Sequence, residues 1–142
     1  MVVLVVEDEA IIAYCSVAML EDAGYAVLGP AHTSAEALEL ACIERPDVAL
    51  IDIDLEVPGA GIGVAHQLRT LHGTAIVFTT GRADAVREHS EIAAAVLVKP
   101  YDPADLAGVV QSAILRPLAA SRATPSRSAS FTGFPAHNGS GA

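Results

Sequence analysis

The sequence contains no tryptophan, and aromatic residues make up only 4% of its 142 residues. It also has 8 lysines and arginines against 17 aspartates and glutamates, which gives a formal net charge of −9. Proteins that bind single-stranded nucleic acid use stacking aromatics and a basic groove. Attraction to duplex phosphates or to an anionic membrane surface also needs positive charge. We therefore expect neither nucleic acid nor a membrane to be a direct partner.

Cysteine is also scarce, since Cys15 and Cys42 are the only two and they form no C-x-x-C pair. We expect both to be small, buried apolar side chains within helices, in a reducing compartment. The apolar stretch at the N-terminus covers residues 1–6 and carries no basic residue. It is too short for a signal peptide or a membrane span. The sequence predicts a soluble, cytoplasmic protein.

The charge is unevenly distributed along the chain. All 17 acidic residues lie between Glu7 and Asp105, and the first 115 residues carry a net charge of −12 against +3 for the remainder. After about Pro117 the sequence turns to Ala, Ser, Arg, Pro and Gly without hydrophobic periodicity, which is typical of disorder. We predict one domain over residues 1–117 and a disordered tail over residues 118–142. We expect no separate effector domain, because a tail this short and polar is too small to fold into one.

Short apolar runs alternate with longer amphipathic segments along the domain. The apolar runs are continuous rather than alternating, which indicates that both faces of the sheet are covered. The predicted fold class is therefore α/β, with a doubly wound, five-stranded parallel sheet and helices on both sides. Strands are predicted at residues 2–6, 25–29, 48–52, 75–79 and 96–98, and helices at residues 9–22, 33–44, 62–71, 82–92 and from 103 onward.

Three helix starts have signals in the sequence. Thr33 and Glu36 form a T-x-x-E capping box, in which the threonine hydroxyl accepts from a backbone N–H of the first turn. Asp102 precedes Pro103, and these are favoured residues for the N-cap and the first helical position. Asp8 is a candidate cap of the first helix, where the helix dipole favours negative charge.

Polar residues follow the predicted strands, at the points where the apolar runs end. In an open parallel α/β sheet, ligands bind outside these carboxyl ends. Carboxylates brought together there repel each other, and a bound divalent cation removes the repulsion. Because the ligands are oxygens, Mg²⁺, Mn²⁺ or Ca²⁺ is favoured over zinc or copper. The residues at this edge are Glu7, Asp8, Glu9, Asp52, Asp54, Thr80 and Lys99.

A site of this composition suits a phosphoryl group. Mg²⁺ is commonly held by one or two carboxylates together with phosphate oxygens. Lys99 supplies a further positive charge for those oxygens, and Thr80 supplies a hydrogen-bond donor. Asp52 is the candidate nucleophile, because an aspartate carboxylate can form a covalent acyl phosphate.

Four segments in this order resemble the CheY-like receiver domain of two-component response regulators. LVVEDE is similar to the family's acidic first-strand motif, VALIDIDL to its phosphoacceptor strand, FTTG to its hydroxyl strand and VLVKPYD to its lysine strand. Each motif alone has little specificity, whereas four in this order at strand ends are highly specific. The resemblance covers residues 2–115 and implies a flavodoxin-like (βα)5 receiver fold.

The resemblance also implies roles for the residues of the polar edge. Asp52 matches the phosphoacceptor, and Thr80 and Lys99 match the hydroxyl and the ammonium that contact the phosphoryl group. The implied cofactor is Mg²⁺. Its implied ligands are the side chains of Asp8 and Asp52, the backbone carbonyl of Asp54, and Glu7 through a water.

The predicted function is that of a single-domain response regulator. It accepts a phosphoryl group from a sensor histidine kinase and signals to an unknown output protein by contact or phosphoryl relay. It would catalyse only its own phosphorylation and dephosphorylation.

Val96 stands where the family often has an aromatic switch residue, and FTTGR is similar to FATGY-type receivers, which lack that aromatic. That subgroup often works with HWE or HisKA2-type kinases. Arg82 replaces the subgroup's Tyr or Phe, and we expect it to pair with Asp54 across the site.

Two other functions are open. Asp52-Ile53-Asp54 matches the D-x-D nucleophile and general acid of haloacid-dehalogenase-like phosphatases, although that motif normally follows the first strand of a longer chain. The other alternative is a receiver domain that is never phosphorylated and acts only as a binding module. The presence of all the acidic residues of the motif, together with Lys99, disfavours it. The five histidines are dispersed and are predicted to be surface or loop residues rather than metal ligands.

Overall fold

The computed structural model describes residues 1–82, 84, 91–115 and 131–133. The helix predicted over residues 82–92 lies for the most part outside the described residues. The other predicted strands and helices are present, with small shifts at their ends. The elements are β1 (Val2–Val6), α1 (Ala10–Asp22), β2 (Ala26–Ala31), α2 (Ser34–Ile43), β3 (Val48–Asp52), α3 (Ala60–His72), β4 (Ala75–Thr80), β5 (Ala95–Val98), α4 (Pro103–Leu115) and β6 (Phe131–Gly133).

The strands form one sheet in the order β2-β1-β3-β4-β5-β6. β1 to β5 pair in parallel, which confirms the predicted doubly wound sheet of five parallel strands. β1 pairs with β2 on one side and with β3 on the other. The chain therefore moves toward one edge of the sheet after β1 and toward the opposite edge from β3 onward, so the strand order reverses between β1 and β3. Ligands of doubly wound sheets bind at the carboxyl ends of the strands at such a reversal.

The sixth strand departs from the prediction. Phe131–Gly133 pairs antiparallel with β5, with Phe131 opposite Leu97 and Gly133 opposite Ala95. The prediction that the whole tail is disordered is therefore wrong for this segment. β5 would otherwise be an edge strand, whose unpaired backbone groups can pair with a short extended segment. Residues 116–130 and 134–142 of the predicted tail lie outside the described residues.

Helices cover both faces of the sheet, as the continuous apolar strands predict. Alternate residues of each strand point to opposite faces. Leu4 and Phe78 pack in the cluster that includes residues of α2 and α3, whereas Val3 and Val77 pack with residues of α1 and α4. β3 is buried along its whole length, so the core extends up to its last residue, Asp52. No helix in the described part of the chain is long and apolar enough to cross a membrane.

Two of the predicted helix starts are confirmed. The hydroxyl of Thr33 accepts from the Glu36 N–H at 3.1 Å, and Glu36 Oε1 accepts in turn from the His32 N–H at 2.7 Å. Asp102 Oδ1 accepts from the Asp105 N–H at 2.9 Å. Thr33 thus caps the start of α2, with Glu36 reaching back to the residue before the cap rather than to Thr33 itself, and Asp102 caps the start of α4.

The prediction of buried cysteines is wrong, because Cys15 and Cys42 are both exposed. In α1 the buried residues are Ala13, Ser16 and Leu20, so the residue after Cys15 faces the core. α1 is apolar on most of its surface, and its sequence therefore does not determine which residues turn inward.

The start of α3 lies against the end of β3. Gly59, with a φ of 83°, is the N-cap residue of α3, and the Gly61 N–H donates to the Ile53 carbonyl at 2.9 Å. A Cβ atom at Gly61 would overlap the backbone carbonyl of Asp52. Glycine at position 61 therefore permits the close packing that fixes the end of β3.

We expect Gly61→Ala to lower the free energy of unfolding by about 2–3 kcal/mol, because the added Cβ forces α3 away from β3. Gly63→Ala is the matched control in the same helix. Among the residues that the structure describes, no neighbouring atom lies within 4 Å of its added Cβ, so the better helix propensity of alanine should raise the free energy of unfolding by about 0.5–1 kcal/mol. Urea unfolding measures both changes. A Gly61→Ala protein as stable as Gly63→Ala would contradict the packing described.

Candidate functional site

Charged side chains from three strand ends meet at one edge of the sheet. Glu7 follows β1, Asp52 ends β3, and Lys99 follows β5. The Lys99 Nζ atom lies 2.9 Å from Glu7 Oε1 and 3.2 Å from Asp52 Oδ2. Glu9 brings a third carboxylate to 3.7 Å from the same ammonium. Lys99 is thus shared by carboxylates that would repel each other without it.

Burial and the contacts between the charged groups together set the charge state of this cluster. Only 3% of Glu7 is exposed, and its burial raises the pKa of the carboxyl group to about 7, with the Asp52 charge adding to the effect and the Lys99 hydrogen bond opposing it. Burial acts to lower the pKa of Lys99, but its contacts with Glu7 and Asp52 outweigh burial, so this pKa is raised. Lys99 is therefore an ammonium at neutral pH, and the Glu7 carboxyl group takes up a proton at a higher pH than an exposed glutamate does.

Three carboxylates form a candidate cation site beside Lys99. Glu7, Asp8 and Asp52 each offer one oxygen, and these oxygens lie within 4.8 Å of one another. An oxygen-only set of this kind fits a hard divalent cation such as Mg²⁺. Asp8 does not cap α1, whose N-cap residue is Glu9 and which has no side-chain cap hydrogen bond. The cap predicted for Asp8 is therefore wrong, and its carboxylate faces the cluster and the loop after β3 instead.

Both oxygens of the Asp52 carboxylate have a donor. Oδ2 accepts from Lys99 Nζ at 3.2 Å, and Oδ1 accepts from the Asp54 N–H at 3.1 Å. These contacts fix the orientation of a side chain that is only 8% exposed. The backbone carbonyl of Asp54 as a metal ligand stays a prediction.

The side chain of Asp54 organises the loop after β3. Its Oδ1 accepts from the Gly59 N–H at 3.0 Å, and its Oδ2 lies 3.5 Å from Arg82 Nε. The predicted pairing of Asp54 with Arg82 is confirmed. Both partners are partly exposed, with 32% and 54% of their side chains accessible, so the pair lies at the rim of the site.

Thr80 ends β4 and is fully buried. Its backbone carbonyl accepts from the Lys99 N–H at 2.7 Å, which joins β4 to the lysine strand. Its hydroxyl accepts from the Arg82 N–H at 3.0 Å. The structure therefore places Thr80 at the predicted edge of the sheet but directs its hydroxyl toward Arg82 rather than toward the carboxylates.

Two contacts of the site have little signal in the sequence. His32 lies in the loop after β2, as predicted, but it is half-buried, and its Nδ1 atom lies 2.9 Å from the Glu7 backbone oxygen. The pairing of β2 with β1 is the only feature that could have indicated this contact. The Glu56 N–H donates to Asp8 Oδ2 at 3.2 Å. Nothing in the sequence marks that contact, because it depends on the backbone conformation of Glu56.

The fold and the site are those of a flavodoxin-like α/β domain with an acidic cluster and a lysine at the carboxyl edge of its sheet. The family model for the response regulator receiver domain matches residues 3–111. The chain therefore belongs to the family of response regulator receiver domains, which confirms the resemblance found in the sequence.

Two curated relatives match much of the chain. The transcriptional regulatory protein PdtaR of Mycobacterium tuberculosis is 33% identical over 117 residues, which are 80% of this chain and 57% of PdtaR. The phyllosphere-induced regulator PhyR of Methylorubrum extorquens is 30% identical over 114 residues, which are 79% of this chain and 43% of PhyR. The chain thus spans about half the length of the curated relatives it matches.

Solved structures share the fold. The response regulator PhyR from Brucella abortus has a TM-score of 0.72 at 26% identity, over 80% of this chain and 47% of that protein. A CheY-like receiver domain from Methanospirillum hungatei has a TM-score of 0.70 at 28% identity, over 80% of this chain and 92% of that domain. The second comparison covers nearly a whole receiver domain, which agrees with the predicted fold.

We expect Lys99→Met to lower the free energy of unfolding by about 2–3 kcal/mol, because it leaves the buried Glu7 facing Asp52 without a cation. Adding Glu7→Gln should recover part of the loss, since it removes the repulsion between Glu7 and Asp52 but leaves Asp52 without its cation. Arg45→Met is the control. It removes the Arg45–Asp47 ion pair, in which 59% of the arginine side chain is accessible, and an exposed hydrogen bond to the His72 carbonyl, and exposed interactions of these kinds contribute about 0–1 kcal/mol each. Equal losses from both single variants in urea unfolding would contradict the shared-ammonium arrangement.

Proposed function

We propose that this chain is the phosphoacceptor of a two-component response regulator and that a sensor histidine kinase is its phosphoryl donor. The observation that carries the proposal is the Asp52 carboxylate, with Lys99 on one oxygen and the Asp54 N–H on the other. A carboxylate held in this way is an oriented nucleophile with a cation beside it. The protein acts as a switch, and it catalyses only its own phosphorylation and dephosphorylation.

In the proposed transfer, an oxygen of Asp52 attacks the phosphorus of a phosphohistidine. The O–P bond forms as the P–N bond breaks, and the imidazole leaves with the bonding electron pair and takes a proton from solvent. Lys99 balances the charge of the phosphoryl oxygens, and Thr80 turns its hydroxyl from Arg82 to donate to one of them. Later attack by water on the acyl phosphate releases phosphate and a proton and restores the carboxylate.

The acidic cluster suits Mg²⁺ as the cofactor. Asp8, Asp52 and the backbone carbonyl of Asp54 would hold it directly, and Glu7 would hold it through a water. When bound, the ion supplies positive charge that offsets the charges of the carboxylates and of the phosphoryl oxygens. A cation at the cluster also favours the ionised form of Glu7, whose pKa is otherwise raised to about 7 by burial.

The receiver in this proposal comprises residues 1–117, with Phe131–Gly133 as an added strand on its edge. The kinase is of the HWE or HisKA2 type, which the FTTG segment suggests.

Two relatives are named as a transcriptional regulatory protein and a phyllosphere-induced regulator, which supports an output in gene regulation. Because the net charge is −9, direct contact with DNA phosphates is unfavourable, and the output passes through a protein partner.

The two alternative functions have less support. A phosphatase of the haloacid-dehalogenase type needs a general acid two residues after the nucleophile. That residue would be Asp54, whose carboxylate already accepts from Gly59 and pairs with Arg82. A receiver that serves only as a binding module would not need the cluster of Asp8, Asp52 and Lys99.

Incubation with Mg²⁺ and acetyl phosphate tests the proposal, with intact-mass spectrometry reporting the fraction of protein that gains a phosphoryl group. The wild type should be modified, a chelator should prevent the reaction, and hydroxylamine should remove the label, because an acyl phosphate is labile to it. Asp52→Asn should abolish the modification. Asp22→Asn, at the exposed end of α1, is the matched control and should leave it unchanged.

Three outcomes would count against the proposal. Modification of Asp52→Asn to the wild-type extent would refute the assignment of the phosphoacceptor. A wild-type protein that gains no phosphoryl group would favour the binding module. Sustained hydrolysis of a phosphoester, abolished by Asp54→Asn, would favour the phosphatase.

A further inference from the structure

Glu56 has an unusual backbone conformation in the loop between β3 and α3. Its φ is 60°, and no other non-glycine residue in the described part of the chain has a positive φ. Residues with a Cβ atom rarely adopt this region, because the Cβ then crowds the backbone carbonyl. Such a conformation persists where surrounding contacts hold it, so the contacts of Glu56 are informative.

The side chain of Glu56 ties this loop to the first turn of α2. Its Oε1 accepts from the Ser34 N–H at 2.9 Å and from the Ser34 hydroxyl at 2.6 Å. Ser34 is the first residue of α2, so its N–H has no acceptor within the helix. The positive end of the helix dipole also stabilises a carboxylate there. Two hydrogen bonds to one oxygen thus fix the position of Glu56.

The backbone of Glu56 reaches the acidic cluster. Its N–H donates to Asp8 Oδ2 at 3.2 Å. Asp8 is exposed and does not cap α1, so no capping hydrogen bond to that helix orients its side chain. An exposed carboxylate loses conformational freedom when it binds a cation. A donor that already holds one of its oxygens reduces that loss and leaves the other oxygen available.

We propose that Glu56 is a positioning residue of the cation site. Its carboxylate anchors the loop on Ser34, so that its own N–H holds the Asp8 carboxylate in place to bind Mg²⁺. The Glu56 carboxylate is turned toward α2 and does not itself act as a ligand. Outer-shell partners of metal sites act in this way, because they orient ligands without touching the ion. The role rests on the proposed Mg²⁺ site and adds to it a residue from outside the acidic cluster.

Calorimetric titration of Mg²⁺ into the full chain tests this role through the dissociation constant, independently of phosphorylation. Glu56→Ala should raise the dissociation constant about tenfold, the lower end of the effect of removing an outer-shell partner. Glu56→Gln should stay within about twofold of the wild type, because the amide oxygen can still accept from Ser34. Both variants lose the negative charge, so rescue by glutamine separates positioning from electrostatics.

Two further variants distinguish anchoring of the loop from the loss of charge and from backbone strain. Glu39→Ala, on the exposed side of α2, removes the same charge and should leave the dissociation constant unchanged. Glu56→Gly removes the anchor but adopts a positive φ without strain, so it should bind Mg²⁺ as weakly as Glu56→Ala. Urea unfolding of each variant verifies that the fold is intact.

Wild-type affinity in Glu56→Ala would overturn this inference and leave the proposed function unaffected. Equal weakening by alanine and glutamine would also overturn it, because the effect would then be one of charge. Full affinity in Glu56→Gly would overturn it in favour of backbone strain. A wild-type protein that binds no Mg²⁺ would overturn the proposed cofactor together with this role.

Discussion

One ammonium group holds the site together. Lys99 lies 2.9 Å from Glu7 and 3.2 Å from Asp52, and the three residues come from the ends of β5, β1 and β3. Two carboxylates this close and this deeply buried repel each other unless a cation lies between them. The cation comes from β5, which β4 separates from β3 in the sheet. The contact therefore depends on the parallel order of the whole sheet rather than on any local turn.

The backbone around Asp52 is held in place as firmly as its carboxylate. Gly61 allows α3 to begin against the Asp52 carbonyl, and the Asp54 N–H holds one oxygen of the carboxylate. The nucleophile proposed here, fixed in this way, would need little reorganisation to accept a phosphoryl group. The groups that would move are the Lys99 ammonium and the Thr80 hydroxyl, since both have partners within the protein that a phosphoryl group would replace.

Much of the fold and the centre of the site could be predicted from the sequence, for a physical reason. Continuous apolar strands require a parallel sheet covered on both faces, and such a sheet brings the ends of its strands to one edge. That is sufficient to bring together Glu7, Asp52 and Lys99. The features that could not be predicted depend on helix rotation and loop geometry. The apolar surface of α1 does not determine whether Cys15 faces inward, and the tail carries no pattern that marks a sixth strand. The contact from Glu56 to the acidic cluster requires a positive φ that a glutamate does not signal.

Reductive trapping tests most directly whether this edge of the sheet presents Asp52 as the acceptor. The protein is treated with acetyl phosphate and Mg²⁺ and then reduced with borohydride, which converts an aspartyl phosphate into homoserine. Peptide mass spectrometry locates the residue that was reduced. Under the assignment of Asp52 as the acceptor, we expect homoserine at position 52 and an unmodified carboxylate at Asp8 and Asp54. Homoserine at either of those two positions, with Asp52 unmodified, would contradict it.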